Sequence, residues 1–146
     1  DMVINIGKMI AGDHLYVKNE IKLLADLAHA HDAILKVILE TCYLTDEQKI
    51  TCCHLAEEAG ADFVKTSTGY GSKGCTIDDL KLMRASVSSH IRVKGSGGSR
   101  DLDTVLSARA VGASRCGVSA TAYSLRHISR AQFSRYMTSS ISDNLS

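Results

Sequence analysis

The stretch Gly60-Ala-Asp-Phe-Val-Lys-Thr-Ser-Thr-Gly69 decides how the chain folds. Gly60 supplies a helix stop, residues 62–67 read as a short strand, and Gly69 opens a loop that also holds Gly71 and Gly74. Successive strand side chains point to opposite sides, so Phe63, Lys65 and Ser67 share one face. A lysine there is unusual in an open sheet covered by helices on both sides, whose strands read as continuously apolar. It is ordinary where strands aim polar groups at the centre of a barrel.

Outward from this element, strand-like runs recur at 1–6, 34–40, 91–96 and 114–118, with starts 23 to 33 residues apart, the length of one βα unit. The polar face returns with Lys36 and Glu40, and again with Arg92, Lys94 and Ser96. Lys36 and Glu40 lie four apart on one predicted strand, which predicts an internal ion pair supporting the site. Between the strands lie helix signals. Thr45 and Gln48 form a capping box ahead of Ile50, Leu55 and Ala56, and Thr76-Ile-Asp-Asp79 opens a second helix in the same manner. Asp101 is a predicted N-cap for 102–111, and Ile21, Leu24, Ala25 and Ala28 mark a helix over about 17–31.

Spacing alone leaves a doubly wound sheet or a (β/α)8 barrel, and the polar inner parity favours the barrel. A complete barrel needs eight units and about 250 residues. Five units therefore predict an α/β chain forming a partial (β/α)8 TIM barrel with the first three units missing. Residues 1–146 would be the C-terminal portion of a single domain. The chain opens on a strand at Asp1 with no initiating methionine, which points to a missing N-terminal segment. The serine-rich stretch 138–146 is predicted to be loosely ordered.

Lys plus Arg total 17 against 16 Asp plus Glu, so no global basic field draws nucleic acid or a membrane surface. No apolar run approaches the length of a membrane span. Cysteines stand at 42, 52, 53, 75 and 116, without C-x-x-C spacing, which fits neither a disulfide framework nor a zinc site and suits a reducing cytoplasm. The six histidines show no ligand spacing, so no metal is expected. Cys52 and Cys53 are expected to pack within their helix, and Arg126 to Arg135 reads as a solvated helix face or an interface.

Two constellations carry chemistry. An isolated strand lysine is most often ion-paired or snorkelling, but Lys94 stands 29 residues after Lys65 at the equivalent place in the next strand. Neighbouring strands lie about 4.8 Å apart, so two ammonium groups held there oppose each other and one becomes a neutral amine, able to attack an aldehyde. The second constellation is glycine-rich: Lys94-Gly-Ser-Gly-Gly-Ser-Arg100 and Cys116-Gly-Val-Ser119 follow successive strands, the latter ahead of a short helix from about Ala120. Either loop alone reads as a turn; paired, they predict a phosphate cradle.

In order and spacing, Asp1-Met-Val-Ile-Asn-Ile-Gly7, Leu35-Lys-Val-Ile-Leu-Glu-Thr41, Ala59 to Gly69, Val93 to Arg100 and Gly112 to Ser119 resemble strands four to eight of the deoxyribose-phosphate aldolase family. That resemblance implies reversible cleavage of 2-deoxyribose 5-phosphate to glyceraldehyde 3-phosphate and acetaldehyde, without cofactor, in a cytoplasmic homo-oligomer whose partner is a small phosphorylated sugar. It implies that Lys65 forms the Schiff base, Lys94 perturbs it and Asp1 serves the proton relay. Gly69, Gly97, Gly98, Gly117 and Ser119 match the family's phosphate loops. Gly95, Ser96, Ser99, Tyr70 and Ala120 depart from the family's usual residues around the phosphate. A non-catalytic partial barrel that binds or oligomerises is the competing reading, and a Schiff-base aldolase for another phosphorylated sugar is a third.

Overall fold

A computed structural model describes residues 1–98 and 101–118. Five parallel strands, β1 (Met2–Val3), β2 (Lys36–Ile38), β3 (Phe63–Lys65), β4 (Arg92–Ser96) and β5 (Ala113–Gly117), lie in strict sequence order. A doubly wound sheet reverses its order at a switch point, whereas barrel strands advance one place at each crossover. The sequential order is therefore that of a partial barrel. Helices α1 (Ile6–Ile10), α2 (His14–His29), α3 (Asp46–Glu58), α4 (Ile77–Ala85) and α5 (Leu102–Ala110) supply the connections.

Side-chain parity divides the sheet into two faces. Val37, Val64 and Val93 are fully buried and join Val17, Ile21 and Ala25 of α2, Cys52, Cys53 and Ala56 of α3, and Leu80 and Met83 of α4 in one continuous core. Ile38 and Phe63, of the opposite parity, are also buried but stand outside that cluster. They belong to the inner face, with Lys36, Lys65, Arg92 and Lys94. The polar inner parity read from the sequence is thus the face turned away from the helices.

Capping sets the helix limits. Thr45 and Gln48 close the expected capping box on α3, with Gln48 Oε1 accepting the Thr45 N–H at 2.9 Å. The Thr76 and Asp101 side chains accept N–H bonds from Asp79 and Thr104 and begin α4 and α5 where the sequence places them. The helix expected over about 17–31 starts earlier, at His14, because Asp13 caps it by accepting the Tyr16 N–H at 3.3 Å. His29 at its end meets Asp62 at 3.0 Å, and the same Asp62 oxygen accepts the Leu35 N–H, tying α2 to the base of β3.

The strand expected over 1–6 ends at Val3. Asn5 accepts the Lys8 N–H at 3.0 Å and turns the chain into α1, so Ile4 is buried at the sheet's edge and Ile6 is already helical. The run 34–40 is likewise cut short, at Ile38, because Glu40 adopts a left-handed backbone with φ 54 and leads into a single 3-10 turn at Thr41–Tyr43. That conformation also undoes the predicted Lys36–Glu40 ion pair. Once Glu40 leaves the strand it no longer shares a face with Lys36, and the two side chains find other partners. Among the described residues, no helix is long and apolar enough to cross a membrane.

Candidate active site

Strand register stacks the inner face in two layers. Lys36, Phe63 and Arg92 are aligned in the lower one; Val3, Ile38, Lys65, Lys94 and Arg115 are aligned in the upper one. Extending the β1–β2 register by one residue sets Asp1 beside Lys36. Five of these side chains are cationic, and Asp1 pairs with two of them: Oδ1 lies 2.7 Å from Lys36 Nζ and Oδ2 3.0 Å from Lys65 Nζ. Phe63 forms the floor, with the Arg92 and Arg115 guanidinium groups 4.2 and 4.8 Å from its ring centre and Lys36 Nζ at 6.0 Å. Its quadrupole favours positive charge at those places.

Lys65 is 8% exposed, at the C-terminal end of β3, where barrel enzymes keep their chemistry. Burial holds its pKa below the ordinary lysine value, the Lys36 charge lowers it further, and Glu40 pulls it the other way. The Asp1 carboxylate also favours the ammonium form, but it is shared between two lysines and leaves the cluster with excess positive charge. Lys94 sits in register with Lys65 on the next strand. Its pKa is lowered by burial first, then by Lys65, Lys36 and Arg115. Lys65 and Lys94 oppose each other across the two strands, and Lys36 lowers both. Strand order brings Lys65, Lys94 and Asp1 onto one face as expected, and adds Lys36 to them.

The glycine loops converge above this layer. Gly69, Gly97 and Gly98 all have positive φ, at 100, 79 and 85. A Cβ on Gly74 would stand 2.5 Å from the Gly97 carbonyl carbon, and one on Gly97 would stand 3.8 Å from Gly69 Cα. The loop after β3 and the loop after β4 therefore touch backbone to backbone, which bare glycine alone permits. Gly117 lies against Ser96, whose hydroxyl would be 2.9 Å from an added Cβ. Gly69, Gly97, Gly98 and Gly117 are thus all at the loop ends of β3, β4 and β5. Ser119, Ser99 and the helix expected from about Ala120 lie outside the described residues, as do 126–135 and 138–146.

Two features were missed in the sequence. The four-residue spacing pairs Lys36 with Glu40, although its parity with Asp1 and Lys65 is visible. Glu40 instead accepts hydrogen bonds from the Thr68 backbone N–H and hydroxyl; a left-handed glutamate carries no sequence signal. Cys52 and Cys53 are fully buried, with thiols pushed up by burial to about 12, and act as packing groups.

A description of DeoC/LacD family aldolases matches residues 1–127. The chain belongs to that family. It is 52% identical over 122 residues to a deoxyribose-phosphate aldolase of Rhodopirellula baltica, covering 84% of this chain and 51% of that one. A deoxyribose-phosphate aldolase of Thermococcus gammatolerans is also 52% identical, over 82% of this chain and 53% of its own length. Among solved structures, a tetrameric deoxyribose phosphate aldolase of Aeropyrum pernix superposes with TM-score 0.72 at 31% identity, covering 77% of this chain and 49% of that one. The chain spans about half the length of the curated relatives it matches.

Proposed function

We propose that residues 1–146 are the C-terminal portion of a single TIM-barrel domain in a Schiff-base aldolase that reversibly cleaves 2-deoxyribose 5-phosphate, as in deoxyribonucleoside catabolism. The observation that carries this reading is Lys65 itself: a buried strand-end lysine of lowered pKa, set between Asp1 and Lys94 beneath converging glycine loops. A small phosphorylated sugar suits the polar inner face and the loops, with Gly69, Gly97, Gly98, Gly117 and Ser119 proposed to hold the phosphate. The relatives of Rhodopirellula baltica and Thermococcus gammatolerans, both deoxyribose-phosphate aldolases, support the same substrate.

The neutral Lys65 amine adds to the substrate aldehyde to give a carbinolamine, which takes up a proton at its hydroxyl and loses water to leave a protonated imine. Asp1 and Lys94 are placed to move those protons, Asp1 from its contact with Lys65 Nζ and Lys94 from the adjoining strand. Loss of the C3 hydroxyl proton then breaks the C2–C3 bond. The bonding pair flows into the imine, glyceraldehyde 3-phosphate departs and the remaining two carbons stay on Lys65 as an enamine. Protonation at carbon and hydrolysis release acetaldehyde. The imine is the electron sink, so the proposed chain of steps calls on no metal or organic cofactor.

A homo-oligomer is proposed by analogy with the tetrameric Aeropyrum pernix relative, and a reducing cytoplasm is supported by five unpaired thiols.

Trapping tests the proposal. Acetaldehyde and borohydride, applied to the natural full-length protein, are expected to leave one reduced adduct, which peptide mass mapping places on Lys65. An adduct on another lysine, or none, overturns the assignment. Lys94→Leu is expected to lower the cleavage rate at least about a hundredfold, the lower end for lost proton transfer. A rate near the parent's with an unchanged pH profile removes Lys94 from the chemistry.

A further inference from the structure

Glu40 is one of two non-glycine residues with positive φ among those described; the other, Asp32, lies in the turn after α2, where aspartate is tolerated. Glutamate has no such local excuse, and a strained backbone persists only where its surroundings over-determine it. Here they do. The residues flanking Glu40 are pinned to the chain beyond it: the Leu39 N–H donates to Lys65 O at 2.9 Å and the Thr41 N–H to Thr66 O at 3.0 Å. The side chain, 3% exposed, reaches the loop that follows Lys65.

Both carboxylate oxygens accept the Thr68 N–H, at 3.3 and 3.2 Å, and Oε2 also accepts the Thr68 hydroxyl. Thr68 Oγ1 in turn accepts the Tyr70 N–H at 3.0 Å. The loop then folds back over the carboxylate, since a Cβ on Gly71 would stand 3.0 Å from Glu40 Oε1. Among the described residues no cation pairs with Glu40. Its carboxylate oxygens are bonded by this loop, whose Gly69 lies beside Gly97.

We propose that Glu40 is a positioning residue: its left-handed backbone and its grip on Thr68 hold the loop 67–71 against the glycine cradle and so set the preference for phosphorylated over unphosphorylated sugar. The inference rests on the aldolase reading above. The Glu40 charge also raises the Lys65 pKa, an effect shared by both sugars; what it adds for the phosphorylated one alone is the site for the distal phosphate.

Acetaldehyde release from 2-deoxyribose 5-phosphate and from plain 2-deoxyribose, measured on the natural full-length protein, tests it. Glu40→Gly is expected to melt near the parent, because glycine accepts the left-handed backbone freely. Its kcat/KM on the phosphorylated sugar is expected to fall about tenfold or more, mainly through KM, the size expected when hydrogen bonds to a charged acceptor are lost. On plain deoxyribose only the change common to both sugars, from the lost pull of Glu40 on Lys65, should remain, so the ratio of the two kcat/KM values is the readout. Glu40→Gln keeps an acceptor for the Thr68 N–H and should recover part of the loss; this variant also carries the test if Glu40→Gly does not fold. Equal loss on both sugars, no loss on either, or no recovery with glutamine overturns the proposal while leaving the aldolase reading intact. A parent that cleaves neither sugar overturns the aldolase reading, and this inference with it.

Discussion

Lys65→Leu in the natural full-length protein is expected to lower aldol cleavage by at least about ten thousandfold, the scale seen when a covalent nucleophile is removed, and to abolish borohydride trapping. Leucine keeps most of the buried stem and removes an ammonium group that is unfavourable to bury. The variant should therefore fold, leaving Asp1 paired to Lys36 alone. The parent's pH dependence supplies an internal check. Because burial and Lys36 hold Lys65 below the ordinary 10.5, its neutral form is more abundant near neutrality than that of a free lysine. The trapping rate should climb with pH and level off earlier than for an exposed lysine. A folded Lys65→Leu protein that keeps a hundredth of the parent rate would place the nucleophile elsewhere.

The part of this site that was legible in the sequence is the part governed by strand periodicity. Parity put Lys36, Lys65, Arg92 and Lys94 on one face, and the near-equal spacing of βα units put Lys65 and Lys94 in register, where the structure has them. Caps were readable for the same reason: Thr45, Thr76 and Asp101 act on neighbours three residues away. The rest depended on conformations that are not local preferences. Nothing in the residue Glu40 announces φ 54, which is imposed by backbone bonds to Lys65 and Thr66 across the sheet. Its departure from the strand is what separated Lys36 from its expected partner and left it for Asp1. Strand length was also over-read at 1–6, because Asn5 diverts into a cap an apolar run that alternation would have continued.

The 146 residues prepared as an isolated polypeptide are expected to lack aldol cleavage and to self-associate, for reasons that lie in the surfaces of the half-barrel. β1 and β5 stand at the two ends of the sheet order, and there is no proline anywhere in the chain to blunt an edge. Along α2, Leu15, Leu23 and Leu27 are 69%, 70% and 57% exposed and fall on one side at spacings of four and eight residues, while Val17, Ile21 and Ala25 fill the core. An exposed leucine stripe on the β1–β2 crossover is a surface that further βα units would cover in a closed barrel. The inner face adds a second demand, since it carries Lys36, Lys65, Arg92, Lys94 and Arg115, and Asp1 pairs with Lys36 and Lys65. Closing the sheet with the N-terminal βα units of a relative, co-expressed as a separate chain, should cover the leucines, complete the pocket and restore soluble cleavage activity. Light scattering, a thermal melt and the acetaldehyde assay on the isolated polypeptide decide it. A monodisperse monomer that melts cooperatively and cleaves deoxyribose 5-phosphate would show that these five strands need no others.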